Sequence, residues 1–140
     1  MELIHSFQDL IPVKIEDLIE RDTIVLDKGA IAAHKDQLVL IPINMRDGSI
    51  LGKGRGNPDW NYSAPHGAGR IMSRTMAKKI LDIETYREAM AGIYTTSVNK
   101  TTLDEAPMAY KAMDDIIDDI HESVDIIDIL KPIYNFKAAD

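Results

Sequence analysis

One histidine in a glycine-rich turn, followed by two arginines, is the chemically richest arrangement in this 140-residue chain: Ser63-Ala-Pro-His66-Gly67-Ala68-Gly69-Arg70-Ile-Met-Ser-Arg74. Glycine lets main-chain N–H groups approach a phosphate with no Cβ in the way. Arg70 and Arg74 each carry a planar fork of donors that fits phosphate oxygens. An imidazole among such donors can act as a nucleophile toward phosphorus, because its neighbours hold the phosphoryl oxygens as charge redistributes. His66 is therefore the candidate catalytic residue, with the Gly67-Ala68-Gly69 backbone, Arg70 and Arg74 as its phosphate-binding surroundings. His34 and His121 lack comparable neighbours and are assigned no role.

The elements that must position these residues are those of one domain over residues 1–140, with 45% hydrophobic residues. There are no cysteines, which excludes a disulfide framework and any thiolate metal site within the chain. No run of about 18 apolar residues offers a membrane span, and no secretory leader pattern opens the sequence, so a cytoplasmic protein without membrane partners is expected. The net charge of −7 argues against a generic nucleic-acid coat, but the charge is unevenly distributed. Residues 51–79 hold Lys53, Arg55, Arg70, Arg74, Lys78 and Lys79 against Asp59 alone, whereas residues 101–140 are dominated by Asp and Glu. A local basic region of this kind can still steer RNA.

The fold class expected is α+β, a small mixed sheet with helices in the C-terminal half. Short strands are predicted at Asp22–Leu26, Ala30–Ala33, Gln37–Ile43 and Ser49–Gly52, bounded by turn signals such as Asp27-Lys28-Gly29 and Arg46-Asp47-Gly48. From Gly52 to Gly69 the pattern dissolves into Gly, Pro and Asn, which reads as a long functional loop. Ser73 is placed to cap a helix over Met76–Leu81, and Asp82 a second running to about Ala91, where Gly92 stops it. Ile93–Val98 reads as a strand or extended link, and Thr102-x-x-Glu105 resembles a capping box. Met113, Ile116, Ile117, Ile120, Val124, Ile127 and Leu130 then fall on one helical face, which predicts a helix ending at Pro132 with Asp114, Asp115, Asp118 and Asp119 on its solvated side. Ile133–Phe136 reads as a final strand carrying Lys137.

The His-Gly-Ala-Gly-Arg run resembles the signature of the RtcB family of RNA-splicing ligases. The resemblance extends to Pro42–Gly48, Gly52–Asn57, Ser63–Arg74, Asp104-Glu-Ala-Pro-Met-Ala-Tyr-Lys111 and Lys137, in the order of the C-terminal part of that family. It implies a GTP- and Mn²⁺-dependent enzyme that joins RNA 3′-phosphate or 2′,3′-cyclic phosphate ends to 5′-hydroxyl ends through a histidine–GMP intermediate on His66, in tRNA splicing or RNA repair. It further implies that Asn44, Ser49, Gly67, Ala68, Gly69, Tyr110 and Lys137 bind the nucleotide with His66, that Arg70 and Arg74 meet phosphate or RNA, and that His5 is a manganese ligand. Two positions depart from the family pattern: Ser6 stands where an asparagine follows the metal histidine, and Asp27 where an arginine is expected. The remaining manganese ligands of the family belong to an N-terminal part that this sequence does not contain, so the chain alone is expected to be inactive.

Two other readings remain at this level. One is a non-catalytic remnant or split-enzyme subunit that binds nucleotide, RNA or a separate N-terminal RtcB-like chain. The other is a different phosphoryl-transfer enzyme that uses His66 as a phosphohistidine.

Overall fold

In the computed structural model, the residues described are 29–137. His5 and the strand expected at 22–26 lie outside them. The elements run β1 (Ala30–Ala32), β2 (Leu38–Asn44), β3 (Gly48–Gly54), a 3-10 turn (Pro58–Trp60), β4 (Ser63–Pro65), α1 (Arg74–Ile80) and α2 (Ile83–Ala89). They continue through β5 (Tyr94–Thr95), 3-10 segments at Lys100–Glu105 and Pro107–Ala109, α3 (Met113–Ile120), β6 (Val124–Leu130) and β7 (Tyr134–Asn135). The class is α+β, with three small sheets: β1–β4 and β2-β3-β6 antiparallel, and β5–β7 parallel.

The β2–β3 hairpin organises the first core. Its turn is closed by Asn44, whose side-chain oxygen accepts the N–H groups of Arg46 and Asp47, both at 2.9 Å. Gly48 follows at φ +85°, where an added Cβ would lie 1.9 Å from the Leu130 carbonyl oxygen, so no other residue fits without moving β6. Val39, Ile41, Ile43 and Ile50 pack against Ile116 and Ile120 of α3 and Val124 of β6. Full burial of such side chains contributes about 1.5–3 kcal/mol each, which is what docks α3 onto the sheet. A second cluster, Met45, Tyr86, Met90, Leu103 and Ala106, joins the hairpin to α2 and the 3-10 segment.

Ser73 and Asp82 act as N-caps as expected, their side chains accepting N–H groups three residues on. The predicted helix to Pro132 requires correction. It stops at Ile120, and Val124–Leu130 forms β6, paired antiparallel with β3 from Ser49↔Leu130 to Gly54↔Val124 with a register shift between Leu51 and Gly52. Four of the seven β6 residues are Val or Ile, which fit a pleated surface better than a helix. The aspartates of α3 are exposed, as its apolar spacing predicts. The capping box belongs to Asn99, with Thr102 as its reciprocal member, and Glu105 takes a different role. The stretch from Gly52 to Gly69 is not structureless: the end of β3, a 3-10 turn and β4 interrupt it. No helix among the described residues is long and apolar enough to cross a membrane.

Candidate active site

Pairing of β4 with β1 sets Pro65 opposite Ala30, which brings His66 beside Gly29. The His66 Nδ1 lies 3.0 Å from the Gly29 carbonyl oxygen, and the His66 ring is exposed. A carbonyl oxygen only accepts, so in the neutral ring this contact favours the proton on Nδ1 and the lone pair on Nε2. That is the tautomer a nucleophilic imidazole needs.

The next residues are held from two sides. Ala68 donates its N–H to Pro42 at 3.0 Å, and the Gly69 carbonyl accepts from Lys111 at 3.1 Å. Of the three N–H groups in Gly67-Ala68-Gly69, that of Ala68 is therefore engaged by the scaffold. Gly69 takes φ +77°, a left-handed conformation that turns the chain into Arg70. Arg70 then forms an isolated bridge with Tyr110, and its guanidinium carbon sits 4.7 Å above the Tyr110 ring.

These segments enclose a cavity of about 580 Å³. Its lining includes His66, Gly67, Ala68, Gly69, Arg70 and Arg74, together with Asn44, Tyr110 and Lys137. Nine residues selected from sequence therefore share one cavity, although they come from five stretches of chain. Asn44 lines it while its amide is engaged in the hairpin turn, where Nδ2 also donates to Asp47 at 3.0 Å. Ser49 is not part of the lining. It is buried in β3 opposite Pro42, and its hydroxyl has no hydrogen-bond partner among the described residues.

Glu105, read from the sequence as part of a capping box and not as a site residue, lines the same cavity. Oε1 accepts from Arg70 Nη2 at 3.1 Å and from Arg74 Nη1 at 2.6 Å. Oε2 accepts from the Tyr110 hydroxyl at 2.7 Å and faces Lys137 Nζ at 3.7 Å. Asp104 accepts from Arg74 at 2.6 Å and faces Lys78, one helical turn further along α1, at 3.8 Å. Burial pushes the Glu105 carboxyl up, but the Tyr110 hydrogen bond and the charges of Lys137, Arg74 and Arg70 outweigh it and hold the group below the usual carboxylate range. Asp104 is lowered in the same way, burial being overcome chiefly by Arg74. Burial, then Glu105, raises the Tyr110 phenol well above its ordinary value. The basic region seen in the sequence is thus folded partly onto the acidic half, and Arg70 and Arg74 already have carboxylate partners. The only sequence signal for this was an adjacent Asp104-Glu105 pair in the segment that carries Tyr110.

Among the described residues, no group of three or more His, Asp or Glu side chains is arranged to hold a metal ion, and His5 lies outside that range.

An exposed imidazole hydrogen-bonded to a backbone carbonyl thus lies in a cavity that arginine, lysine and tyrosine side chains also line. The sequence model of the family described as "tRNA-splicing ligase RtcB" matches residues 9–138, and the chain belongs to that family. It is similar to the "RNA-splicing ligase RtcB" of Escherichia coli K12, with 35% identity over 126 residues, covering 90% of this chain and 31% of the relative. It is also similar to "RNA-splicing ligase RtcB1" of another Escherichia coli strain, ATCC 25922, at 37% over 114 residues, or 81% of this chain and 28% of the relative. The "tRNA-splicing ligase RtcB" of Aeropyrum pernix matches at 42% over 90 residues, or 61% of this chain and 18% of the relative. The chain therefore spans about a third or less of the curated relatives it matches.

Proposed function

We propose that this chain forms the nucleotide-transfer part of an RNA ligase, acting in the cytoplasm on RNA with 3′-phosphate or 2′,3′-cyclic phosphate and 5′-hydroxyl ends, in tRNA splicing or RNA repair. The observation that carries the reading is the His66–Gly29 contact, because in the neutral ring it turns the Nε2 lone pair to the cavity that Arg70, Arg74 and Lys137 line. In this reading GTP is a substrate. Nε2 attacks its α-phosphorus, the bond to the β-phosphate oxygen breaks, and pyrophosphate leaves. An RNA 3′-phosphate oxygen then attacks the same phosphorus, and the P–N electron pair returns to Nε2. The 5′-hydroxyl finally attacks the RNA 3′-phosphate and releases GMP, its proton passing to solvent.

Arg70 and Arg74 supply positive charge to the phosphoryl groups, and Tyr110 and Lys137, as the resemblance implies, help hold the guanine. Arg70→Lys keeps charge but loses the fork and its stacking on Tyr110, so it slows transfer without abolishing it. The described residues do not by themselves fit the manganese ion that the resemblance implies. A separately expressed N-terminal RtcB-like chain is the proposed source of the missing ligands, and residues 1–140 alone do not ligate RNA. The test is incubation with Mn²⁺ and labelled GTP, with and without such a chain. Label on His66 and ligation only in the mixture supports the reading, whereas robust ligation by residues 1–140 alone contradicts the division of labour.

A further inference from the structure

Three cationic side chains from three segments of chain meet on one carboxylate in this cavity. Arg70 precedes α1, Arg74 opens it, and Lys137 follows β7, yet all three face Glu105. Its side chain is 16% exposed and those of Arg70 and Lys137 are 22% and 21%, so water screens these two contacts less than that of Arg74, whose side chain is 58% exposed. A tetrahedral anion entering the cavity seeks the same donors. It must therefore either take them from Glu105 or share them at the cost of placing two anions side by side.

We propose that Glu105 is a specificity-determining residue of this cavity: its carboxylate occupies the anion position between Arg70, Arg74 and Lys137, so that bare inorganic phosphates are poorly held and a ligand must bring further contacts to bind. The proposal rests on the cavity being the phosphate-binding site argued above. A nucleotide meets the requirement because its base and sugar can reach Tyr110 and the Gly67–Gly69 backbone while its phosphates compete for the arginines. Inorganic pyrophosphate has only the charge interaction, and Glu105 cancels much of that. Asp104 does not substitute for Glu105, since it faces Arg74 and Lys78 and makes no ion pair with Arg70 or Lys137 among the described residues.

The test is calorimetric titration of the 140-residue chain with pyrophosphate, comparing wild type, Glu105→Gln and Glu105→Asp. Gln keeps the shape and an acceptor for Tyr110 but removes the charge, so Glu105→Gln should bind pyrophosphate at least about tenfold more tightly, the gain expected from releasing one partly buried charge-assisted contact. Glu105→Asp keeps the charge and should stay near wild type. Equal affinity of Glu105→Gln and wild type overturns the proposal, and so does an equal gain in Glu105→Asp, which would point to space and not charge. A second measurement does not depend on how the variants fold. In wild type, a zero-length carbodiimide should join Glu105 to Lys137, and sulfate, a bare anion inert to the reagent, should leave that crosslink largely intact because Glu105 keeps the donors from it. Absence of the crosslink, or its ready loss in sulfate, also overturns the proposal. Tighter pyrophosphate binding by Glu105→Gln, with no nucleotide ever found on His66, would instead retain the role of Glu105 and remove the ligase reading.

Discussion

The Nδ1 of His66 and the carbonyl oxygen of Gly29 lie 3.0 Å apart, joining the turn after β4 to the residue before β1. In the neutral ring this contact favours one tautomer of the imidazole. Nitrogen-detected NMR of the histidine rings should show the neutral His66 ring as the Nδ1–H tautomer. A ring protonated on Nε2 would remove the basis for treating it as the nucleophile.

Acid should weaken the fold through Glu105 and Asp104. Both carboxyls are held below their ordinary range when folded, so in mild acid the unfolded chain binds more protons. Their stabilisation is complete above the unfolded values, about 4.3 for Glu and about 3.9 for Asp, and is lost as pH falls through the folded values. Melting temperature should therefore fall more steeply below about pH 4.3 in wild type than in Glu105→Gln. Parallel profiles for the two proteins would contradict this.

Gly48→Ala should be far more damaging than Gly92→Ala, although both glycines have positive φ. At Gly48 the new methyl would meet the Leu130 backbone, adding a clash to the left-handed strain, for a loss of about 3 kcal/mol or more. At Gly92 nothing lies within 4 Å, which leaves only the backbone cost of about 1–2 kcal/mol. Chemical denaturation of the two variants measures the difference, and equal losses would argue against β6 lying over the hairpin turn.

Lys137 donates its N–H to Ser97 Oγ at 2.7 Å, and two residues earlier the buried Asn135 side chain donates to the Met45 carbonyl at 2.5 Å, tying β7 to the turn of the hairpin. Asn135→Ala leaves that buried carbonyl without this donor, at a cost of about 1–3 kcal/mol. Proteolysis should then cut near Lys137 sooner than elsewhere, and GTP binding should weaken. Unchanged cleavage and binding would detach Lys137 from this anchor.

What the sequence made legible was local chemistry. The hairpin strands, the Ser73 and Asp82 caps and the His66–Arg74 run could be read because each is contiguous and has its own residue signature. Val124–Leu130 could not, since its apolar spacing also suits a helix and pairing with β3, some 75 residues earlier, decides the matter. β4 was hidden because three residues including a proline carry almost no strand signal. Glu105 was read as part of a capping box because its partners come from distant positions in the chain, and only the fold brings Arg70, Tyr110 and Lys137 to it. Ser49 was placed with the nucleotide by resemblance, whereas the register of β3 sets it in the core opposite Pro42.

The central claim is that His66 carries the nucleotide. Its most direct test is intact-mass and peptide mass spectrometry after incubation with Mn²⁺ and GTP alongside a separately expressed N-terminal RtcB-like chain. The account predicts a GMP adduct on His66 that is absent in His66→Ala and unchanged in His34→Ala and His121→Ala. A GMP adduct persisting at wild-type level in His66→Ala, or a bare phosphate on His66 in place of GMP, would contradict it.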